Sequence, residues 1–189
     1  MASSGRTQGA DLRGILPLKS LFLTVGSQTP FDRLVTAVNQ WARQQNQWAV
    51  QAQIGQTQLA QAERDALHCL GTLSSHEYEQ HCRCADLIVA HAGMGTVLTA
   101  LQMGKPLVVL PRRAAFRETR NDHQLGTLRW LADRPGIWCA LDETELPHTL
   151  DRACASIMNG EFSEPVIAAS CQGPLVSFLK QRLQAHLHP

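Results

Sequence analysis

Asp86-Leu87-Ile88-Val89-Ala90-His91-Ala92-Gly93-Met94-Gly95-Thr96, followed by Gly104-Lys105-Pro106-Leu107-Val108-Val109-Leu110-Pro111-Arg112, decides how the rest of the chain is read. Residues 87–90 are a short, continuous apolar run, the pattern of a strand buried on both faces. His91 to Thr96 is a glycine-bearing turn, Val97 to Met103 reads as a helix, and Gly104 supplies the stop that favours a helix C-terminus. Lys105-Pro106 leads into a second buried run, Leu107 to Leu110, which Pro111 ends. Strand, turn, helix and strand in this order make a βαβ unit, and its two strands are parallel.

The same alternation extends in both directions. Leu21 to Val25 reads as the first strand, Gly26-Ser27-Gln28-Thr29-Pro30 closes it, and Phe31, Leu34, Val35, Val38 and Trp41 then recur at helical spacing. Trp48 to Ile54 alternates as a strand does, and Ala66 to Leu70 is a weaker third strand. Ser75 to Cys84 reads as a helix with Ser74 or Ser75 as its N-cap, and Glu77 and Glu79 in its first turn suit the helix dipole. After Arg112 a polar loop through Arg120 reaches Asn121-Asp122-His123-Gln124 and a helix through Leu131. Ile137 to Leu141 is a sixth strand and Glu143 to Met158 is mostly helix. The predicted fold class is α/β, a Rossmann-like parallel sheet with helices on both faces. Residues 1–20 are expected to be a flexible N-terminal extension and residues 21–189 one domain. That domain ends in a helix at about 174–187, whose Leu175, Leu179, Leu183 and Leu187 form an apolar stripe for its own core or for a partner.

Composition narrows the function classes. Hydrophobic residues make up 44% of the 189 and charged residues 17%, and 17 Lys plus Arg nearly balance 16 Asp plus Glu. This is a globular composition with no basic excess for a nucleic-acid partner. Arg112, Arg113, Arg117 and Arg120 cluster in one loop, as a solvated face or an anion contact. No apolar run approaches the ~20 residues that cross a bilayer, and the N-terminus lacks the apolar centre of a secretory signal. A cytoplasmic protein is expected. Its six cysteines, scattered among apolar neighbours, read as mostly small buried thiols. His81-Cys82-Arg83-Cys84 has no second ligand pair elsewhere, so neither a metal nor a cofactor is expected.

Ligands of open parallel sheets bind beyond the carboxyl ends of strands, which directs attention to Gly26-Ser27, to His91–Thr96 and to Arg112–Gln124. Two glycines around Met94 admit a ligand to a helix start, where free N–H groups bind phosphate. Thr96 adds a hydroxyl that caps the helix or meets a phosphate oxygen. His91 offers a ring nitrogen to a phosphate, a sugar or a backbone carbonyl. The dinucleotide fingerprint fails because Leu98 stands where a third small residue belongs. Gly104-Lys105-Pro106 likewise lacks the features of a P-loop.

In order, Leu21–Pro30, Asp86–Thr96, Gly104–Arg112 and Asn121–Gln124 resemble the glycosyltransferase family 28 C-terminal domain, and the likeness runs over roughly residues 20 to 185. Within the family, small stand-alone subunits of two-subunit UDP-sugar transferases, including those of exopolysaccharide biosynthesis, are the most similar. The resemblance implies the C-terminal half of a GT-B glycosyltransferase. A UDP-sugar would be the donor, held at its diphosphate by Gly93, Gly95 and Thr96 beside His91. Gly26 and Ser27 would face the nucleotide, and Gln124 of the Asn121-Asp122-His123-Gln124 motif would meet the donor sugar. Many relatives carry Glu five residues before the Gly of Gly-Lys-Pro, where it holds both ribose hydroxyls; Thr99 stands there in this chain.

The implied chemistry is metal-independent, inverting hexosyl transfer to a lipid-linked saccharide. His91, Thr96 and Arg113 would steady the leaving diphosphate. His91 and His123 are candidate bases, although the family's base is expected on the acceptor-binding half. The implied partner is a membrane-associated, acceptor-binding subunit that would bring the chain to the cytoplasmic membrane face. The alternative is a non-catalytic nucleotide-sugar-binding regulatory or scaffold subunit.

Overall fold

The computed structural model describes residues 18–27 and 29–161, and within them every strand of the sheet is parallel to its neighbours. The strands are β1 (Lys19–Thr24), β2 (Trp48–Gln53), β3 (His68–Leu70), β4 (Leu87–His91), β5 (Leu107–Leu110) and β6 (Ile137–Cys139). They lie side by side in the order β3-β2-β1-β4-β5-β6. The helices are α1 (Asp32–Ala42), α2 (Ser75–Cys84), α3 (Met94–Met103), α4 (His123–Leu131) and α5 (Leu146–Met158). The predicted N-terminal extension falls almost wholly, and the predicted C-terminal helix wholly, outside the described residues.

The apolar runs of the central strands are explained by two cores, one on each face of the sheet. Because successive strand residues point to opposite faces, Leu21 and Leu23 of β1, Leu87 and Val89 of β4, and Val108 and Leu110 of β5 join one core with α1 and α5. Phe22, Ile88, Ala90, Leu107 and Val109 join the other, with α2, α3 and α4. A strand buried on both sides has no polar face, so β4 and β5 show no alternation.

Local chemistry sets the helix ends. Ser74 caps α2, accepting from the Glu77 N–H at 3.3 Å, while Glu77 accepts from the Ser74 N–H at 2.7 Å, a reciprocal capping box. Helix α3 starts at Met94, three residues before the predicted Val97, because Gly93, with extended backbone at φ −91° and ψ 135°, is itself the cap. Gly95 therefore lies inside the first helical turn. α5 starts at Leu146, with Pro147 in its first turn, whereas Asp142 to Glu145 form a hydrogen-bonded turn before it.

Reversal of strand order places the topological switch point between β1 and β4. Asp86 helps fasten these strands at their starts, accepting from the Ser20 N–H at 2.8 Å, from Lys19 Nζ at 3.1 Å and from Ser20 Oγ at 3.0 Å. At the end of α3, Gly104 is left-handed at φ +62°. An L-residue there carries strain, so Gly104→Ala is expected to cost about 1 kcal/mol in urea unfolding. Gly71→Ala, where an added Cβ meets nothing within 4 Å, should leave the midpoint nearly unchanged.

Candidate functional site at the switch point

A cleft of about 1030 Å³ opens over the carboxyl ends of β1 and β4, between the loop from β5 to α4 and the start of α2. Gly26, Ser27, His91, Gly93, Gly95, Thr96, Thr99, Asn121, His123 and Gln124, all named from sequence, line it. Arg113 is not among the lining residues; its Nε lies 3.9 Å from Asp122 Oδ1. Arg112 and Arg120 are the arginines of the lining.

Arg112 is a builder of the cleft. Only 4% exposed, it donates from its guanidinium to the carbonyls of Val25 at 2.8 Å, Thr29 at 2.7 Å and Pro30 at 2.7 Å, with the Phe31 ring 4.6 Å beneath it. These carbonyls belong to the loop after β1, so Arg112, just past β5, ties that loop across the sheet top. Arg120 is exposed and makes no contact of this kind with any described residue, which leaves its charge available to the cleft.

His91 ends β4 and sits between two glycines. A Cβ at Gly93 would lie 2.1 Å from its Nε2, and one at Gly26 would lie 2.9 Å from its Cε1. Gly26 also turns through φ +82°, and its N–H donates to Thr24 Oγ1 at 3.2 Å. These two glycines are therefore required by the imidazole ring. Gly95 differs, because an added Cβ would meet nothing within 4 Å. Glycine in a helix costs roughly 0.5–1 kcal/mol against alanine, and no protein neighbour of Gly95 demands it.

Burial and then the nearby Arg112 cation push the His91 ring down to about 4, so it is neutral at pH 7. Its Nδ1 is buried with no hydrogen-bond partner among the described residues. Such a ring is a poor proton acceptor at neutral pH but a usable hydrogen-bond group for a ligand. Gly93 has no side chain to cap the start of α3, so among the described residues no cap occupies the amides of its first turn. Beside them Tyr78 OH donates to Thr96 Oγ1 at 3.0 Å, leaving the Thr96 hydroxyl hydrogen to donate elsewhere.

On the opposite wall, buried Gln124 accepts from the Arg112 N–H through Oε1 at 2.9 Å, so its amide NH₂ is what it can offer a ligand. The His123 ring and its backbone N–H both meet Asn121 Oδ1. The loop carrying them is pinned by Glu118, which accepts from Arg33 Nη2 at 2.8 Å and Nε at 3.0 Å and from the Arg113 N–H at 2.9 Å. Sequence reading missed Tyr78, Glu79, Glu118 and Gln53 as parts of the cleft; none sits in a motif, and each arrives from another layer of the fold. Among the described residues no three His, Cys, Asp or Glu side chains converge as metal ligands would. His81 is engaged with Gln51, while Cys82 is buried and Cys84 exposed.

A doubly covered parallel sheet with a cleft and an uncapped helix start at its switch point defines a Rossmann-like ligand-binding half, the C-terminal half of a GT-B glycosyltransferase. The chain belongs to the glycosyltransferase family 28 C-terminal domain, whose family model matches residues 20–170. Among similar solved structures is the glycotransferase of kitacinnamycin, at 21% identity and a TM-score of 0.59, over 97% of this chain and 44% of that one. MurG of Acinetobacter baumannii matches at 22% and 0.59, over 82% of this chain and 45% of that one. The solution structure of ALG13 matches at 20% and 0.53, over 82% of this chain and 98% of that one. The chain thus spans less than half of the first two. No curated protein matches significantly. Among the described residues, no helix is long and apolar enough to cross a membrane.

The neutral state of His91 yields a pH prediction. Its folded-state value lies below that of the unfolded chain, so the unfolded chain binds more protons between about pH 4 and 6.5. The associated stability is complete above 6.5 and is lost as pH falls towards 4. In urea unfolding, His91→Gln should remove a fall on the order of 2 kcal/mol across that window, relative to the parent. Parallel pH profiles for the two proteins would contradict this burial of the ring.

Proposed function

We propose that this domain binds a UDP-sugar and supplies the donor half of a hexosyltransferase that acts on a lipid-linked saccharide. The observation that carries the reading is the open start of α3, where Gly95 faces empty cleft beside uncapped amides. A diphosphate laid there accepts N–H groups of the first turn at the positive end of the helix dipole. The Thr96 hydroxyl, the His91 ring and the Arg120 guanidinium stand within the same cleft to share its charge. That charge grows as the sugar leaves, so donors fixed in advance favour the transition state over the ground state. The Gln124 amide, directed by Arg112, would meet a hydroxyl of the sugar.

The reaction in this reading is inverting and needs no metal, because amides and side-chain donors take the role of a cation. The acceptor hydroxyl loses its proton to a base on a separate acceptor-binding unit. His91 does not suit that task, since its value near 4 makes it too weak a base at neutral pH. The separate unit is drawn from the resemblance to small stand-alone subunits of two-subunit UDP-sugar transferases. A membrane-associated partner presenting the acceptor would place the domain at the cytoplasmic membrane face, with exopolysaccharide or related glycan synthesis as the setting.

Gly95→Asp sets a carboxylate against the proposed diphosphate and should weaken UDP at least ~10-fold, about 1.4 kcal/mol, in calorimetric titration. Unchanged affinity in a folded variant would remove the α3 start from the site. Sugar transfer to a polyprenyl-diphosphate-linked acceptor should be negligible with this chain alone and appear when the acceptor-binding unit is added. Robust turnover by the purified chain would overturn the two-unit reading.

A further inference from the structure

Thr96 is held differently from two other helix threonines. Thr99 and Thr149 each fold back on their own helix, donating at 3.0 Å to the carbonyl four residues earlier, that of Gly95 and of Glu145. That arrangement uses up the hydroxyl hydrogen inside the helix. Thr96, in the first turn of α3 and only 7% exposed, is bonded from outside instead: the phenol of Tyr78 on α2 donates to its Oγ1 at 3.0 Å. Among the described residues no acceptor takes the Thr96 hydrogen, and the residue lines the cleft.

The phenol is itself fixed by its surroundings. Its ring packs edge-on against Phe22 of β1, with centroids 5.8 Å apart and planes at 65°, and Phe22 is buried in the second core. Lys105, just beyond α3, donates to the carbonyl of Ala85, just beyond α2, at 2.8 Å, so the two helices are tied near their starts by Tyr78 and past their ends by Lys105. Burial raises the Tyr78 pKa, so the phenol keeps its proton at neutral pH. Cys82, one turn further along α2, also makes hydrogen-bond contact with the phenol, but its sulfur is a weak acceptor and the Thr96 oxygen the stronger one. With the Tyr78 hydrogen on its oxygen, Thr96 must point its own hydrogen elsewhere. A hydroxyl that accepts one such bond is also a stronger donor in the next.

We propose that Tyr78 is a positioning residue for diphosphate recognition, orienting the Thr96 hydroxyl so that its hydrogen meets a phosphate oxygen at the start of α3. The assignment rests on the reading of the cleft given above and adds to it a residue of another helix that belongs to no sequence motif. Tyr78 acts through Thr96 and needs no contact with the diphosphate. Without the phenol, Thr96 is free to turn its hydrogen back along its own helix, as Thr99 does, and the cleft loses a donor fixed before the ligand arrives.

Titrations of UDP, and of uridine, which lacks the diphosphate, into the parent, Tyr78→Phe, Thr96→Val and the double variant test this. Tyr78→Phe should weaken UDP roughly fivefold, the scale of one hydrogen bond, and leave uridine within about twofold of the parent. Thr96→Val should weaken UDP by at least as much. Adding Tyr78→Phe to Thr96→Val should then change UDP affinity by less than about twofold, because the phenol has lost the group through which it acts. Tyr78→Phe keeps the ring against Phe22, so the variant should fold, and circular dichroism checks it. Losses that add in the double variant, an equal loss of uridine and UDP in Tyr78→Phe, or UDP binding indifferent to Tyr78→Phe each overturn the assignment; a UDP affinity still weakened by Gly95→Asp would in that case uphold the α3 start as the site. If Gly95→Asp too leaves UDP unchanged, the cleft reading falls and this positioning role with it.

Discussion

Arg112 is the charge on which the arrangement of the cleft depends. Its guanidinium lies almost entirely out of water, and it is matched there by backbone carbonyls of the loop after β1. Burial lowers its pKa, yet an arginine stays protonated at any ordinary pH, so the contacts persist. An unpaired buried charge would cost several kcal/mol. The loop carrying Gly26 and Ser27 is therefore held wherever its carbonyls can meet that guanidinium. The same residue offers its N–H to Gln124 and its field to His91. Arg112 thereby sets the geometry of the loop through its guanidinium and the orientation of an amide through its backbone N–H, and its charge adds to the burial that keeps an imidazole neutral.

The glycines divide into two kinds by what surrounds them. Gly26 and Gly93 make room for the His91 ring, since a methyl group at either would overlap it. Their absence of side chains is a matter of packing within the protein. Gly95 has no such neighbour, and the space above it belongs to the cleft. A glycine kept in a helical turn without internal cause is the feature expected where another molecule approaches the backbone.

The polar groups of the cleft are largely committed before any ligand arrives. Thr96 accepts from Tyr78, Gln124 from the Arg112 N–H, and the Thr99 hydroxyl donates to Gly95. Each of these bonds decides which half of a two-sided polar group remains outward, so Thr96 and Gln124 present donors and Thr99 an acceptor. Near the α3 start the cleft is thus donor-rich, which suits a ligand with an anionic centre.

Much of this was legible in the linear chain, because the physics behind it is local. Continuous apolar runs at 87–90 and 107–110 mark strands covered on both faces, Gly104 marks a helix stop, and Ser74 or Ser75 marks the N-cap of a helix; the structure selects Ser74 and makes Gly104 left-handed. Motif spacing also named ten residues that the fold does bring to one cleft. What required the tertiary structure was which atom of each residue is left over after internal bonding, because partners such as Tyr78 and Thr96 come from different helices. Arg112 and Arg113 are adjacent and chemically identical, so sequence cannot tell them apart. Leaving β5, one side chain turns inward to the loop carbonyls and the other towards Asp122. Likewise α2 reaches the cleft only by packing alongside α3, a long-range consequence of the second core that no local pattern encodes.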